Sequence, residues 1–163
     1  MAGLATTVAI YDDMGAADRD WAALEAAAKT SDVDLADAAL VRRRGSGEVV
    51  SVHRQEHHGW GKGAVAGAIV GLIFPPSLLG SAVVGGLGGA LVARVSRCLD
   101  RGDIKDLGEV MDRSEIALVV VSATDSVEKV HEVLGGARHK LARGDMPADD
   151  LLQAMDAAGL NPR

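Results

Sequence analysis

The hydrophobic pattern at the start of the chain predicts a strand, a helix and a β-hairpin. Residues 7–11 are rich in β-formers. They lead through two aspartates and a glycine into a helix over residues 16–29, whose apolar side chains recur every three to four positions. Residues 35–42 and 48–55 are typical of two strands joined by a glycine-containing turn. The first third of the chain is therefore expected to have the order β-α-β-β.

The second half of the chain predicts one helix, one buried strand and a helical tail. Residues 104–111 have helical spacing. Residues 116–121, Ile-Ala-Leu-Val-Val-Val, form a continuous apolar run that is typical of a strand covered on both faces, so we expect it in the centre of a sheet. Asp125 and Ser126 are expected to cap a further helix, and Pro147 lies near the first turn of a last one.

These elements predict a single α+β domain over residues 1–163. The order βαββαβ is that of a ferredoxin-like sandwich, in which a four-stranded antiparallel sheet carries helices on one face. Its parts are a βαββ half, a glycine-rich insert, a helix with the central strand, and C-terminal helices: residues 5–58, 61–98, 103–122 and 125–160.

The dominant feature of the sequence is an uncharged segment, residues 64–93, which has thirty positions without Asp, Glu, Lys, Arg or His. Small residues recur at every fourth position along the segment and its border, on both sides of a proline pair. They are Gly63, Gly67 and Gly71 before Pro75 and Pro76, and Ser81, Gly85 and Gly89 after them. On a helix this spacing makes a groove that lets a second backbone approach closely. We therefore predict a glycine-zipper helical hairpin, inserted in the ferredoxin-like sandwich.

The two arms of this hairpin are short for a membrane span. Residues 63–74 make a helix of about 18 Å and residues 77–93 one of about 26 Å, whereas the hydrocarbon core of a bilayer is roughly 30 Å thick. The basic residues that flank the segment are Lys62, Arg94, Arg97 and Arg101. Cations on both sides are typical of a re-entrant hairpin whose two ends face the cytoplasm.

The sequence leaves three places open for the uncharged segment: a membrane, the protein's own fold, or an interface between copies of the chain. Glycine costs roughly 1 kcal/mol per helical position relative to alanine. Several glycines in exposed helices are a heavy penalty, so we expect another backbone to pack closely against this one.

Five short stretches carry a resemblance to a known protein family. They are Trp-Gly-Lys-Gly-Ala at 60–64, Ile-Phe-Pro-Pro at 73–76, Gly-Gly-Leu-Gly-Gly-Ala at 85–90, Asp-Ile-Lys-Asp-Leu at 103–107 and Ser-Glu-Ile-Ala-Leu-Val-Val-Val at 114–121. Over about residues 5–142 the chain resembles a family of small bacterial proteins of unknown function that are described as uncharacterised membrane proteins. The resemblance implies membrane association and no established activity. The three arginines at 42–44 and the cluster of Glu56, His57 and His58 depart from the family's pattern.

Composition and charge exclude several classes of protein. A hydrophobic fraction of 48% with 25% charged residues is typical of a globular chain and not of a disordered one. The net charge of -6 and the scarcity of aromatic residues argue against nucleic acid as a partner. The single cysteine, Cys98, forms no internal disulfide, and no export signal precedes the first strand. We expect a cytoplasmic protein, at the inner face of the cell membrane if the segment enters lipid.

Histidines and aspartates supply the candidate chemical groups. His53, His57 and His58 carry nitrogen ligands suited to zinc, copper or nickel, and an ordinary surface loop accounts for them as well. Asp12 and Asp13 end the first strand, where an acid–base pair and simple turn chemistry both fit.

Basic residues near the hairpin suggest a lipid-facing patch. The arginines at 42–44, with Arg54 and Lys62, are expected near the base of the hairpin, where they attract anionic headgroups or form a solvated hairpin tip.

The sequence thus predicts a non-enzymatic protein without a cofactor, whose glycine-zipper hairpin mediates membrane association, homo-oligomeric assembly or both. The expected partners are the chain itself and a lipid bilayer. The alternatives are a soluble oligomer with the hairpin buried between copies, and a metal-binding protein that uses the histidine cluster.

Overall fold

The computed structural model of the chain describes residues 3–45, 49–54 and 100–147, together with the single positions 149 and 153. These ranges contain five strands and three helices. The strands are β1 (Leu4–Tyr11), β2 (Leu35–Arg43), β3 (Val49–Arg54), β4 (Ile116–Ala123) and β5 (His139–Met146). The helices are α1 (Met14–Lys29), α2 (Arg101–Met111) and α3 (Val127–Val133), and a 3-10 turn over Thr124–Ser126 precedes α3.

The strands form one antiparallel sheet in the order β3-β2-β4-β1-β5. All eight residues of β4 are buried, and β4 lies between β2 and β1, which confirms the expected central strand. We call the two ends of the sheet the Leu4 end, where β1 and β2 begin and β4 and β5 end, and the Tyr11 end, where β1 and β2 end. The positions of the other elements are given relative to these two ends.

Apolar side chains cover both faces of the sheet, because successive residues of a strand point to opposite sides. On the first face, strand residues pack in one cluster with Trp21 and Leu24 of α1 and with Val130 of α3 and its C-cap residue Leu134. The strand residues of this cluster include Ala9, Tyr11, Leu40, Leu118 and Val120. On the second face lie Val8, Ile10, Ala39, Val119 and Val121, which are also buried. The helices α1 and α3 therefore cover the first face.

The helix α2 lies on the second face, over β1 and β5. Its Leu107, Val110 and Met111 are buried. Its Asp106 forms an ion pair with Arg143 of β5, with the Nε of the arginine 3.4 Å from Oδ2. Helices thus pack on both faces of the sheet, whereas the sequence pattern predicted them on one face.

The α+β class and the antiparallel pairing of β2 with β3 are confirmed by the structure. The prediction of helices alone over residues 125–160 is wrong, since α3 ends at Val133 and β5 follows it as a fifth strand. The sequence His-Lys-Leu-Ala-Arg-Gly of β5 has no apolar run and no clear alternation, because residues 140–144 are only half-buried at the edge of the sheet. An edge strand of this kind lacks the hydrophobic signal that identified β4.

Candidate functional site

Of the residues predicted for the hairpin, its basic flank and the histidine cluster, two lie in the part of the chain that the structure describes. His53 lies in β3, opposite Leu40 of β2, and Arg101 is the exposed first residue of α2. The remaining predictions lie outside the described residues. They are Lys62, Gly63, Gly67, Gly71, Pro75, Pro76, Ser81, Gly85, Gly89, Arg94 and Arg97, and the histidines His57 and His58.

The strand β3 leads the chain towards the uncharged segment in a defined direction. Val49 pairs with Arg43 at the Tyr11 end of the sheet, and Arg54 pairs with Ala39, further towards the Leu4 end. Because β3 runs from the first pair to the second, the chain leaves it heading towards the Leu4 end.

The helix α2 receives the chain from the segment, and its direction is fixed by two contacts. Asp106 pairs with Arg143, which lies opposite Thr6 in the half of β1 nearer Leu4. Met111, five residues later, lines a shallow crevice with Val41 and Ala117 towards the Tyr11 end. The N-terminus of α2 therefore points towards the Leu4 end, the same end towards which β3 runs.

The start of α2 is set by an acidic cap. The Oδ1 of Asp100 accepts a hydrogen bond of 2.7 Å from the backbone N–H of Asp103, which satisfies one of the free donors at the helix start. Asp103 is itself a carboxylate in the first turn, where the helix dipole favours negative charge. Two carboxylates, those of Asp100 and Asp103, therefore follow the basic residues that come after the uncharged segment.

Charge is distributed unequally between the two ends of the sheet. In the described residues, the loops and helix termini at the Leu4 end carry six carboxylates and three cations. They are Asp32, Asp34, Asp100, Asp103, Asp125 and Glu128 against Lys29, Arg101 and Lys129. The arginines at 42–44 lie at the Tyr11 end, because Arg42 pairs with Ile116 at the start of β4. The structure thus places these arginines at the end of the sheet away from the N-terminus of α2, and not beside it.

Several cations at the Tyr11 end have partners. Arg43 pairs with Asp112, with 2.7 Å between Nη2 and Oδ1, and Arg138 pairs with Asp12 at 3.1 Å between Nη1 and Oδ1. The Oδ1 of Asp13 accepts the N–H of Ala16 at 2.9 Å and caps α1. Asp12 and Asp13 therefore have an ion-pair role and a capping role, and the turn interpretation of this pair is the one that the geometry supports.

A buried polar cluster that the sequence did not predict lies on the first face. The hydroxyl of Tyr11 donates to Oδ2 of Asp20 at 2.9 Å, and the backbone N–H of Gly136 donates to the same oxygen at 2.9 Å. Asp20 is only 8% exposed and Tyr11 is fully buried. We call these three residues the Asp20 node, and it joins β1, α1 and the loop that leads to β5.

Burial and the neighbouring Asp20 raise the pKa of the Tyr11 phenol well above its ordinary range, so the hydroxyl stays protonated and remains a donor. The pattern of apolar residues in α1 gives no signal for a buried aspartate. The glycine at 136 suits this contact, because an added Cβ would lie 3.2 Å from both carboxylate oxygens of Asp20. The Asp20 node therefore has a structural role, since its hydrogen bonds hold β1, α1 and the loop before β5 together.

The described part of the chain contains neither a cluster of metal ligands nor a membrane-spanning helix. No group of three or more His, Cys, Asp and Glu side chains is placed there to hold a metal ion. None of the helices in the described ranges has the length and apolar character needed to cross a membrane.

The chain matches a protein family by its sequence. A family model described as "Protein of unknown function (DUF1269)" matches residues 61–156. Searches of curated proteins and of solved structures gave no significant match.

Proposed function

The chain belongs to the DUF1269 family of proteins of unknown function, and from that premise we propose that it is a non-enzymatic protein whose uncharged segment is an association element. The segment mediates assembly of copies of the chain, attachment to a membrane, or both, through the glycine-zipper hairpin that its spacing predicts. The region matched by the family model begins at residue 61, so it includes the whole segment.

One observation carries the proposal. The strand β3, which precedes the segment, runs towards the Leu4 end of the sheet. The N-terminus of α2, which follows the segment, lies towards the same end. A segment that leaves and returns at one end suits a re-entrant hairpin, whereas a single crossing of a membrane needs its two ends on opposite sides. This geometry favours an element that projects from one end of the domain.

The charge of the Leu4 end does not favour an anionic bilayer as the partner. The described loops and helix termini at this end carry six carboxylates and three cations. Anionic lipid headgroups attract basic segments and repel acidic ones. Membrane attachment remains the second candidate, because the sequence places Lys62, Arg94 and Arg97 beside the segment and Arg101 is exposed at that end.

We propose in addition that the core of the domain is ferredoxin-like. The support is that β4 lies between β1 and β2, that β5 pairs with the other side of β1, and that α1 and α3 pack on the same face. In this interpretation β3, the uncharged segment and α2 form one insertion between the second and third core strands, and β5 is the fourth core strand. An experimental structure of the chain tests this order.

Light scattering with and without detergent tests the association proposal. We expect a mass several times 16.8 kDa in the absence of detergent. A monomer in both conditions, combined with full recovery of the cellular protein in the soluble fraction after carbonate washing, contradicts the proposal. A protein that stays with carbonate-washed membranes supports the membrane candidate.

Substitutions in the small-residue stripe test the mechanism of association. Gly67→Leu and Gly85→Leu improve helix propensity by several tenths of a kcal/mol, yet they insert four heavy atoms where backbones are proposed to meet. Overpacking of this kind typically costs about 1–3 kcal/mol, so we expect loss of the assembled species. Val70→Leu and Val84→Leu, off the stripe, are the matched controls and are expected to assemble like the parent. If all four variants have the parent's mass and melting temperature, the glycine-zipper proposal is wrong.

A further inference from the structure

Among the strands that the structure describes, β5 and β3 are the outermost, and each contains an extra residue. Thr6 of β1 pairs with Arg143 and Leu4 pairs with Met146, so two steps along β1 correspond to three along β5. Gly144, inside this irregularity, has a φ of 85°, a conformation that L side chains rarely adopt. A glycine in the left-handed region at the first position is the signature of a G1 β-bulge. Pro147, directly after the strand, has no N–H to offer a further strand.

The strand at the opposite edge contains an extra residue as well. Leu40 of β2 pairs with His53 and Val41 pairs with Ser51, which leaves Val52 without a position in the register. Val52 is 38% exposed and is the exposed large hydrophobic side chain of the described residues. A β-branched, exposed residue on a regular edge strand is a site at which foreign strands pair. In β3 that residue lies within a bulge.

We infer that these two bulges close the edges of the sheet to strands of other copies, so that copies of this chain associate without edge-to-edge β pairing. A regular edge strand offers N–H and C=O groups at an even spacing, which matches the spacing of any second strand. An extra residue shifts that spacing and bends the strand, so a partner strand loses its register after a few residues. The closure of the edges is argued from β3 and β5 alone, and its consequence for the association of copies rests on the proposed function.

Disulfide crosslinking of copies tests the inference at the β5 edge. In a Cys98→Ser background, Ala142→Cys places one cysteine on β5, and Ala22→Cys places one on the exposed side of α1 as a proximity control. We expect the Ala142→Cys protein to crosslink no more than the Ala22→Cys protein under mild oxidation. Deletion of Gly144 removes the extra residue, and with Ala142→Cys it is expected to turn the crosslinked dimer from a background species into a major one.

A matched control separates the bulge from the glycine itself. Gly144→Asn keeps the number of residues and tolerates a positive φ, so its crosslinking is expected to stay at background. Efficient crosslinking of the Ala142→Cys protein with the bulge intact overturns the inference. A folded Gly144 deletion, verified by circular dichroism, that stays at background overturns it as well.

The β3 edge provides the second variant, which decides the matter if the Gly144 deletion does not fold. Deletion of Val52 with Val50→Cys, again in the Cys98→Ser background, is expected to crosslink efficiently. Val50→Cys with Val52 retained is expected to stay at background. Equal crosslinking with and without Val52 overturns the inference.

Discussion

The two faces of the sheet are each linked to a helix by a polar contact, and the two contacts differ in their burial. On the first face, Asp20 of α1 is 8% exposed and accepts the Tyr11 hydroxyl at 2.9 Å. On the second face, Asp106 of α2 reaches Arg143 of β5 at 3.4 Å, with side chains that are 47% and 39% exposed. Removing the first contact leaves the buried Tyr11 hydroxyl without an acceptor, whereas water replaces the second contact. The contact on the first face therefore contributes more to the free energy of unfolding than the contact on the second face.

Removal of the two carboxylates is expected to give the largest difference between the faces. Asp20→Ala leaves the buried Tyr11 hydroxyl without an acceptor, which costs about 1–3 kcal/mol, and it also removes the acceptor of the part-buried Gly136 N–H. We expect a loss of about 3 kcal/mol in the free energy of unfolding, measured by urea denaturation. Asp106→Ala, the control on the second face, is expected to cost less than about 1 kcal/mol. Equal losses contradict the ranking of the two faces.

Alkaline pH is expected to act on the first face through Tyr11. The pKa of this phenol is raised in the folded protein, while the unfolded chain loses the proton near its ordinary pKa of about 10. Above that pH the unfolded state binds fewer protons, so the free energy of unfolding falls by about 1.4 kcal/mol per pH unit. Below a pH of about 10, the stabilisation that comes from the protonated Tyr11 hydroxyl is fully present.

The measurement is direct because Tyr11 is the only tyrosine in the sequence. Tyrosinate absorbance and loss of circular dichroism are expected to appear together as the pH rises. Tyr11→Phe is expected to remove this part of the pH dependence. Tyrosinate that forms in the folded protein at ordinary pH values argues against the buried hydrogen bond.

Two neighbouring glycines give the smallest of the expected effects. A Cβ at position 136 lies 3.2 Å from both carboxylate oxygens of the buried Asp20, whereas one at position 135 meets the carbonyl of Glu132 at an ordinary 3.6 Å. Gly136→Ala is therefore expected to lower the free energy of unfolding by about 1 kcal/mol through overpacking. Gly135→Ala is expected to be neutral or slightly stabilising, since it restricts the unfolded chain. Thermal denaturation of the two variants measures the difference.

The parts of the fold that the sequence predicted are those with a strong hydrophobic signal. The central position of β4 followed from its continuous apolar run, and α1 and the β2–β3 pair followed from periodicity and turn residues. The strand β5 was missed because its residues 140–144 are half-buried and carry no alternation. Its place in the sheet comes from pairing with β1, a long-range contact that no local pattern records.

The candidate site was predictable only in part. The sequence identified the uncharged segment by its composition, but the direction in which β3 and α2 point depends on the register of distant strands. The arginines at 42–44 were expected near the base of the glycine-rich hairpin, yet β2 and β3 pair in a way that places them at the Tyr11 end. The Asp20 node was not predictable, since Gly136 lies 116 residues from Asp20.

The position of β4 between β1 and β2 has a consequence for synthesis on the ribosome. The two strands that flank β4, β1 and β2, are translated before residue 54, whereas β4 begins at residue 116, after the uncharged segment. At about 5–20 residues per second, the ribosome needs roughly 3–12 s to bridge that interval. Throughout it, β1 and β2 lack the strand that joins them, so the sheet is not yet assembled when the thirty uncharged residues are made. The segment is therefore synthesised before the sheet that flanks it is complete.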